Sequence, residues 1–232
     1  MRPVVVVGGT LFGAACVLAL AVAVGEAQST GASPTPADLL KDPAVKAALD
    51  AAKATEPQTV ADQIRFCEIP APSFKEDARG RELQRTFQAL GLRNVRIDKV
   101  GNVLGEYAGA APRPHVVIAA HLDTVFPEGT DVRVKRDGAI LRAPGIGDDC
   151  RGLAVLVAIV REMKKAKVQT PGSITFVANV GEEGLGDLRG VKELFGATLN
   201  ACKGYSHRNS FSASSRLRIR APWCGIIPVT YW

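Results

Sequence analysis

The sequence predicts an α/β domain built on a mostly parallel sheet flanked by helices. Three observations carry that expectation. Two short runs, Val116 to Ala120 and Ile174 to Val180, are β-branched and apolar on both faces, as strands covered on both sides by helices are. Segments of helical period stand before and between them. The two kinds of segment alternate along the chain, which is the α/β signature.

Taken in order, helical patterns run over 45–66 and 75–90; in the second, Leu83, Phe87 and Leu90 share a face and Gly91 is placed to stop it. Ile69-Pro70-Ala71-Pro72-Ser73 between them reads as a loop. Alternation over Val95 to Val100, a turn at Gly101-Asn102 and a return over Val103 to Tyr107 predict a hairpin. The strand at Val116 follows, and Asp137-Gly138 marks a second hairpin. A helix over 153–166 puts Leu153, Leu156, Val157, Val160 and Met163 on one face, and Ile174 to Val180 forms the second buried strand.

The flanks read differently. Arg2 precedes an apolar stretch from Pro3 to Val24, with Gly25 and Ala27 suited to cleavage, so 1–27 reads as a signal peptide and the protein as secreted or periplasmic. An uncleaved membrane anchor is the alternative. Residues 28–37 read as a linker, 38–199 as the folded domain and 200–232 as an atypical tail, rich in serine and arginine. The net charge of +6 contains five positive charges and no acid from residue 194 onward; without them +1 remains, which excludes a fold-wide nucleic-acid face. Cys67, Cys150, Cys202 and Cys224 lack the spacing of a disulfide framework or a Cys-x-x-Cys zinc site.

The chemistry-bearing residues stand where buried strands end or a helix begins, the place where open α/β sheets bind ligands. His121-Leu122-Asp123-Thr124 follows the first buried strand; a neutral imidazole ligates zinc well, and its second ring nitrogen needs an acceptor. Gly145 to Gly152 contains Asp148 and Asp149 at a helix start, where adjacent carboxylates either cap the helix or hold cations. Gly181-Glu182-Glu183-Gly184 follows the second buried strand, so that one glutamate can ligate while its neighbour takes a proton. A Cys150 nucleophile is disfavoured, because the adjoining acids raise a thiol pKa.

In this order and spacing, His-Leu-Asp-Thr-Val, Gly-Ile-Gly-Asp-Asp-Cys-Arg-Gly and Gly-Glu-Glu-Gly-Leu-Gly-Asp-Leu-Arg-Gly resemble metallopeptidase family M20, the family of peptidase T, carboxypeptidase G and succinyl-diaminopimelate desuccinylase. The loop at Ile69 to Ser73 looks like that family's opening loop, and the resemblance covers Asp38 to Phe195. It implies a zinc exopeptidase-like catalytic domain, two zinc ions, and hydrolysis of a peptide or N-acyl amino acid substrate. By motif position His121 would bind one zinc, Asp148 would bridge both and Glu183 would bind the other, with Asp149 the alternative bridge one residue on. Asp123 would orient His121, Glu182 would be the general base, and the peptide after the bridging Asp would be cis. The family's two later ligands, an acid and a histidine, have no counterpart beyond His207, and the lid domain is missing. The expectation is therefore a C-terminally truncated chain of impaired activity. A non-catalytic secreted module retaining the fold is the second expectation.

Overall fold

The computed structural model describes residues 35–198 and a strand at 224–228. The leader at 1–27, most of the linker, most of the tail, and Cys16, Cys202 and His207 lie outside the described residues. Among the described residues no helix is long and apolar enough to cross a membrane.

The N-terminal helical region is α1 (Pro36–Leu39), α2 (Pro43–Ala54) and α3 (Glu56–Cys67). The single pattern over 45–66 breaks at Thr55 because Pro57 occupies the first turn of α3, where its missing N–H is harmless but a continuing helix upstream would clash with its ring. Helix α4 (Asp77–Ala89) stops as expected: Gly91 takes φ +70°, and Leu92 donates back to the Phe87 carbonyl at 3.1 Å.

Strands β1 (Arg93–Ile97) and β2 (Val103–Tyr107) form the first hairpin. Residues 98–100 are turn rather than strand, because Asp98 Oδ1 gathers the N–H groups of Val100, Gly101 and Asn102 at 2.9–3.0 Å. Strand β3 (His115–His121) ends on the histidine itself. Strands β4 (Lys135–Asp137) and β5 (Ile140–Arg142) make the second hairpin, whose two loop residues are Gly138 and Ala139, one position later than expected. Gly138 at φ +58° supplies the positive φ that opens such a turn. Helix α5 (Cys150–Lys165), strand β6 (Ser173–Asn179), a 3-10 turn at Gly184–Gly186, helix α6 (Arg189–Glu193), a π-helical turn at Leu194–Thr198 and strand β7 (Cys224–Pro228) complete the described elements.

The main sheet has the order β1-β2-β6-β3-β7. Strands β6, β3 and β7 are parallel, whereas β2 joins β6 antiparallel and β1 joins β2 antiparallel. The sheet is thus mixed, since a tight hairpin can only append antiparallel strands. Part of the segment read as an atypical tail supplies its edge, β7. On one face, Phe66, Leu83, Phe87, Leu153, Leu156, Val157 and Val160 from α3, α4 and α5 pack on Val103, Ala120, Phe176 and Ala178. On the other, Val117, Ala119 and Val177 meet Leu104 and Leu194. Both faces of β3 and β6 are covered, and each fully buried leucine contributes roughly 2 kcal/mol of transfer free energy. In-register pairing sets His121 opposite Asn179, so both strands release their chains at the same edge of the sheet.

Candidate metal centre

That shared edge brings together the three acidic or histidine motifs. One ligand-capable atom each of His121, Asp148 and Glu183 lies within 4.8 Å of the others. His121 is 2% exposed. Its Nδ1 lies 3.1 Å from the Asp123 main-chain carbonyl, which can only accept, so Nδ1 carries a proton; Nε2 faces Asp148 Oδ1 at 2.8 Å.

The two neighbouring aspartates have opposite surroundings. Asp149 is 1% exposed and is the N-cap of α5: one carboxylate oxygen accepts from Gly152 N at 2.9 Å, the other from the His121 main-chain N–H at 2.9 Å. The Asp148 side chain is 67% exposed and turned toward the imidazole. The peptide between them is cis. Of the capping and cation-holding roles that the sequence leaves open for this pair, capping falls to Asp149, while Asp148 stands in the group that could hold a metal ion.

Asp123 is fully buried and does more than face His121. Its Oδ1 stands 3.5 Å from His121 Nδ1, farther than its own carbonyl, while the two oxygens accept the main-chain N–H groups of Glu182 and Glu183 at 3.0 and 2.9 Å. Ser73 Oγ stands 3.2 Å from Asp123 Oδ2 and 3.4 Å from the Glu183 carbonyl, and its one hydrogen is placed between these two acceptors. The Asp123 carboxylate therefore stitches the opening loop and the Glu-Glu turn to the histidine. Glu183 joins the three-residue cluster; Glu182 is outside it, with an exposed side chain. The turn itself needs Gly181, at φ +61°, where an added Cβ would meet Arg189 Nη1 at 2.0 Å.

The electrostatics suit a cation. Burial alone would lower the His121 pKa, yet Asp123, Asp149 and Asp148 together raise it to about 9. Burial raises the Asp149 carboxyl to about 7, against the lowering by His121 and by the N–H groups it accepts. Burial also raises Glu183, with His121 lowering it and Asp148, Glu182 and Asp123 raising it further. Asp123 is held low: burial opposes this, but His121 and the Glu183 and Glu182 N–H groups outweigh it. One imidazole and a set of crowded carboxylates fit a divalent ion with open coordination positions. Cys150 is fully buried and its thiol is pushed up by its contact with Cys67, then by burial, both of which disfavour it as a nucleophile.

Two buried polar residues near this edge carried no signal in the sequence of a part in the site. Asn102, fully buried in a Gly-Asn turn, accepts from Val180 N at 3.0 Å and donates to the Gly190 carbonyl at 3.0 Å, which braces the start of the Glu-Glu turn. Arg79 is 1% exposed, on a helix read from sequence only by its apolar face.

A mixed sheet with a His, Asp and Glu cluster at the parallel strands' carboxyl ends defines an α/β domain with a candidate metal centre. Residues 117–220 match the model of "Peptidase family M20/M25/M40". Carboxypeptidase G2 from Pseudomonas sp. strain RS-16 is 30% identical over 46% of this chain and 27% of its own length. The chain spans about a third of the length of the curated relatives it matches. A Staphylococcus aureus tripeptidase structure superposes with a TM-score of 0.50 at 25% identity, covering 60% of this chain and 40% of that one. The Saccharomyces cerevisiae di-peptidase Dug1p, at 16% identity and a TM-score of 0.52 over 64% of this chain and 37% of its own, shares the fold. The chain is thus similar to M20 metallopeptidases and hydrolases in both sequence and fold.

Proposed function

We propose that this chain carries the metal-binding part of an exported zinc hydrolase that cleaves peptide or N-acyl amide bonds. The observation that supports it is the convergence of His121, Asp148 and Glu183 on one point. Zinc at such a site lowers the pKa of a water and polarises the scissile carbonyl. In this reading His121 Nε2, Asp148 and Glu183 are the ligands. Asp123 accepts the Glu182 N–H and so fixes the turn from which the Glu182 carboxylate reaches the reacting water. Glu182 takes the water's proton and passes it to the leaving nitrogen. The similarity to carboxypeptidase G2 and to a tripeptidase supports an amide substrate of small size, and the apolar segment 3–24 supports export.

The test combines zinc stoichiometry of the purified chain with turnover of dipeptides and N-acyl amino acids. A chelator should abolish turnover and zinc restore it, and Glu182→Gln should remove turnover while metal content stays. A chain that holds metal but turns over none of these amides would instead be a binding module, and loss of activity with a thiol reagent alone would defeat the metal reading.

A further inference from the structure

The fully enclosed guanidinium of Arg79 has no carboxylate among its hydrogen-bond acceptors; all are main-chain carbonyls. Its Nε and Nη2 converge on the Ile69 carbonyl at 3.0 and 2.6 Å, Nη2 also lies 3.4 Å from the Cys67 carbonyl, and Nη1 donates to the Leu122 carbonyl at 2.7 Å. Burying a guanidinium is unfavourable unless its donors are satisfied, so a residue held this way fixes whatever it bonds. What it bonds is specific. Leu122 is the residue between His121 and Asp123, and its carbonyl belongs to the peptide group that leads into Asp123. Cys67 and Ile69 open the loop that runs to Ser73, whose hydroxyl reaches Asp123. That loop is joined to the same strand end again where Thr124 N donates to the Ala71 carbonyl at 3.0 Å.

Besides the Ser73 hydroxyl at Asp123 itself, the opening loop is therefore tied to main-chain groups on each side of Asp123, at Leu122 through the Arg79 fork and at Thr124 directly. The tie at Leu122 depends wholly on a single side chain from α4. A planar fork is needed there: two donors must meet Ile69 on one side while a third meets Leu122 on the other, a geometry that an ammonium group cannot reproduce.

We propose that Arg79 is a positioning residue of the metal site: it orients the Leu122 peptide, and through it His121 and Asp123, without touching the ion. This rests on the His121, Asp148 and Glu183 metal reading, and the experiment separates the two. Wild-type chain, Arg79→Met, Arg79→Lys and a control, Leu156→Ala, are titrated with cobalt(II), followed by visible absorption, and with zinc against a chromophoric chelator, at a temperature below every variant's melting point. Leu156 is a fully buried core residue of α5, so its variant reports loss of stability without change at the site.

The expected result is that Arg79→Met weakens metal affinity by about ten- to hundredfold and shifts the cobalt absorption bands, as loss of a supporting contact around a metal ligand does. Arg79→Lys recovers only part of the affinity, while Leu156→Ala melts lower yet binds metal as the wild type does. Should Arg79→Met not fold, Arg79→Lys carries the test by the same two readouts. Wild-type affinity and spectrum in a folded Arg79 variant would reduce Arg79 to a fold-stabilising role and overturn the inference. A wild-type chain that binds neither ion removes the metal site itself, and this inference with it.

Discussion

Strand β3 has a histidine at each end, and the two ends are electrostatic opposites. At the start, His115 is half-buried, with Nε2 2.8 Å from Thr175 Oγ1; burial lowers its pKa, Glu106 raises it and Arg113 lowers it. At the finish, His121 is more deeply buried, yet its pKa rises to about 9 because Asp123, Asp149 and Asp148 surround it. Residue type, strand and direction of the burial effect are shared. The difference lies in what the following loops deliver: only the carboxyl end of a parallel pair collects the turns that follow both strands. A histidine is a candidate ligand here because of where its strand ends.

The largest effects should come from breaking the carboxyl end. His121→Ala should lose zinc binding outright, measured as bound metal per chain after gel filtration, whereas His115→Ala should keep it. Equal metal content in the two variants would dissolve the contrast. The adjacent aspartates sharpen it. Asp149→Ala removes an N-cap and leaves two buried N–H groups unpaired, so thermal or urea unfolding should show a loss of about 1–3 kcal/mol. Asp148→Ala, on an exposed side chain, should change stability by about 0.5 kcal/mol or less and abolish metal binding instead. If Asp149→Ala proved the metal-dead but stable variant, the division of roles at the helix start would be reversed.

The smallest effects are in pH dependence, with opposite sign at the two ends. His121 has a folded pKa raised above the ordinary 6.5, so its contribution to the stability of the metal-free chain is fully present below pH 6.5 and is lost as pH rises through about 9. Zinc must displace that proton, and calorimetry at pH 7.5 in buffers of different ionisation enthalpy should register release of about one proton per zinc bound. His115 is lowered, so its contribution is full above pH 6.5 and falls as the solution is acidified below it, a loss that His115→Gln should remove from an acid unfolding curve. A melting temperature indifferent to pH on both sides would mean that neither end titrates as its surroundings require.

Much of this was legible in local pattern. The buried strands, the two hairpins, the stop at Gly91 and the three motifs follow from periodicity and turn chemistry, which depend on neighbours in the chain. The misses came from interactions with specific chemistry: Pro57 divided a helix whose apolar period ran through it, and the Asp98 carboxylate converted a strand-like alternation into a turn. The site was legible as residues and motif order but not as roles. Asp148 and Asp149 are adjacent and chemically identical, and nothing local says that one faces Gly152 and the His121 main chain while the other faces the imidazole.

The sequence by itself determined the central strands, the helices that pack on them, the His and carboxylate motifs and the family resemblance, because these are matters of composition and short-range order. Only the tertiary structure decided that the sheet is mixed, that Asp123 binds the Glu-Glu turn through two main-chain N–H groups, that buried Arg79 donates to the Leu122 carbonyl and that Asn102 accepts from the Val180 N–H. Those depend on which unpaired main-chain groups meet a buried side chain when distant segments pack. A buried polar group must be satisfied wherever it lands, so its partners are set by packing across the whole fold.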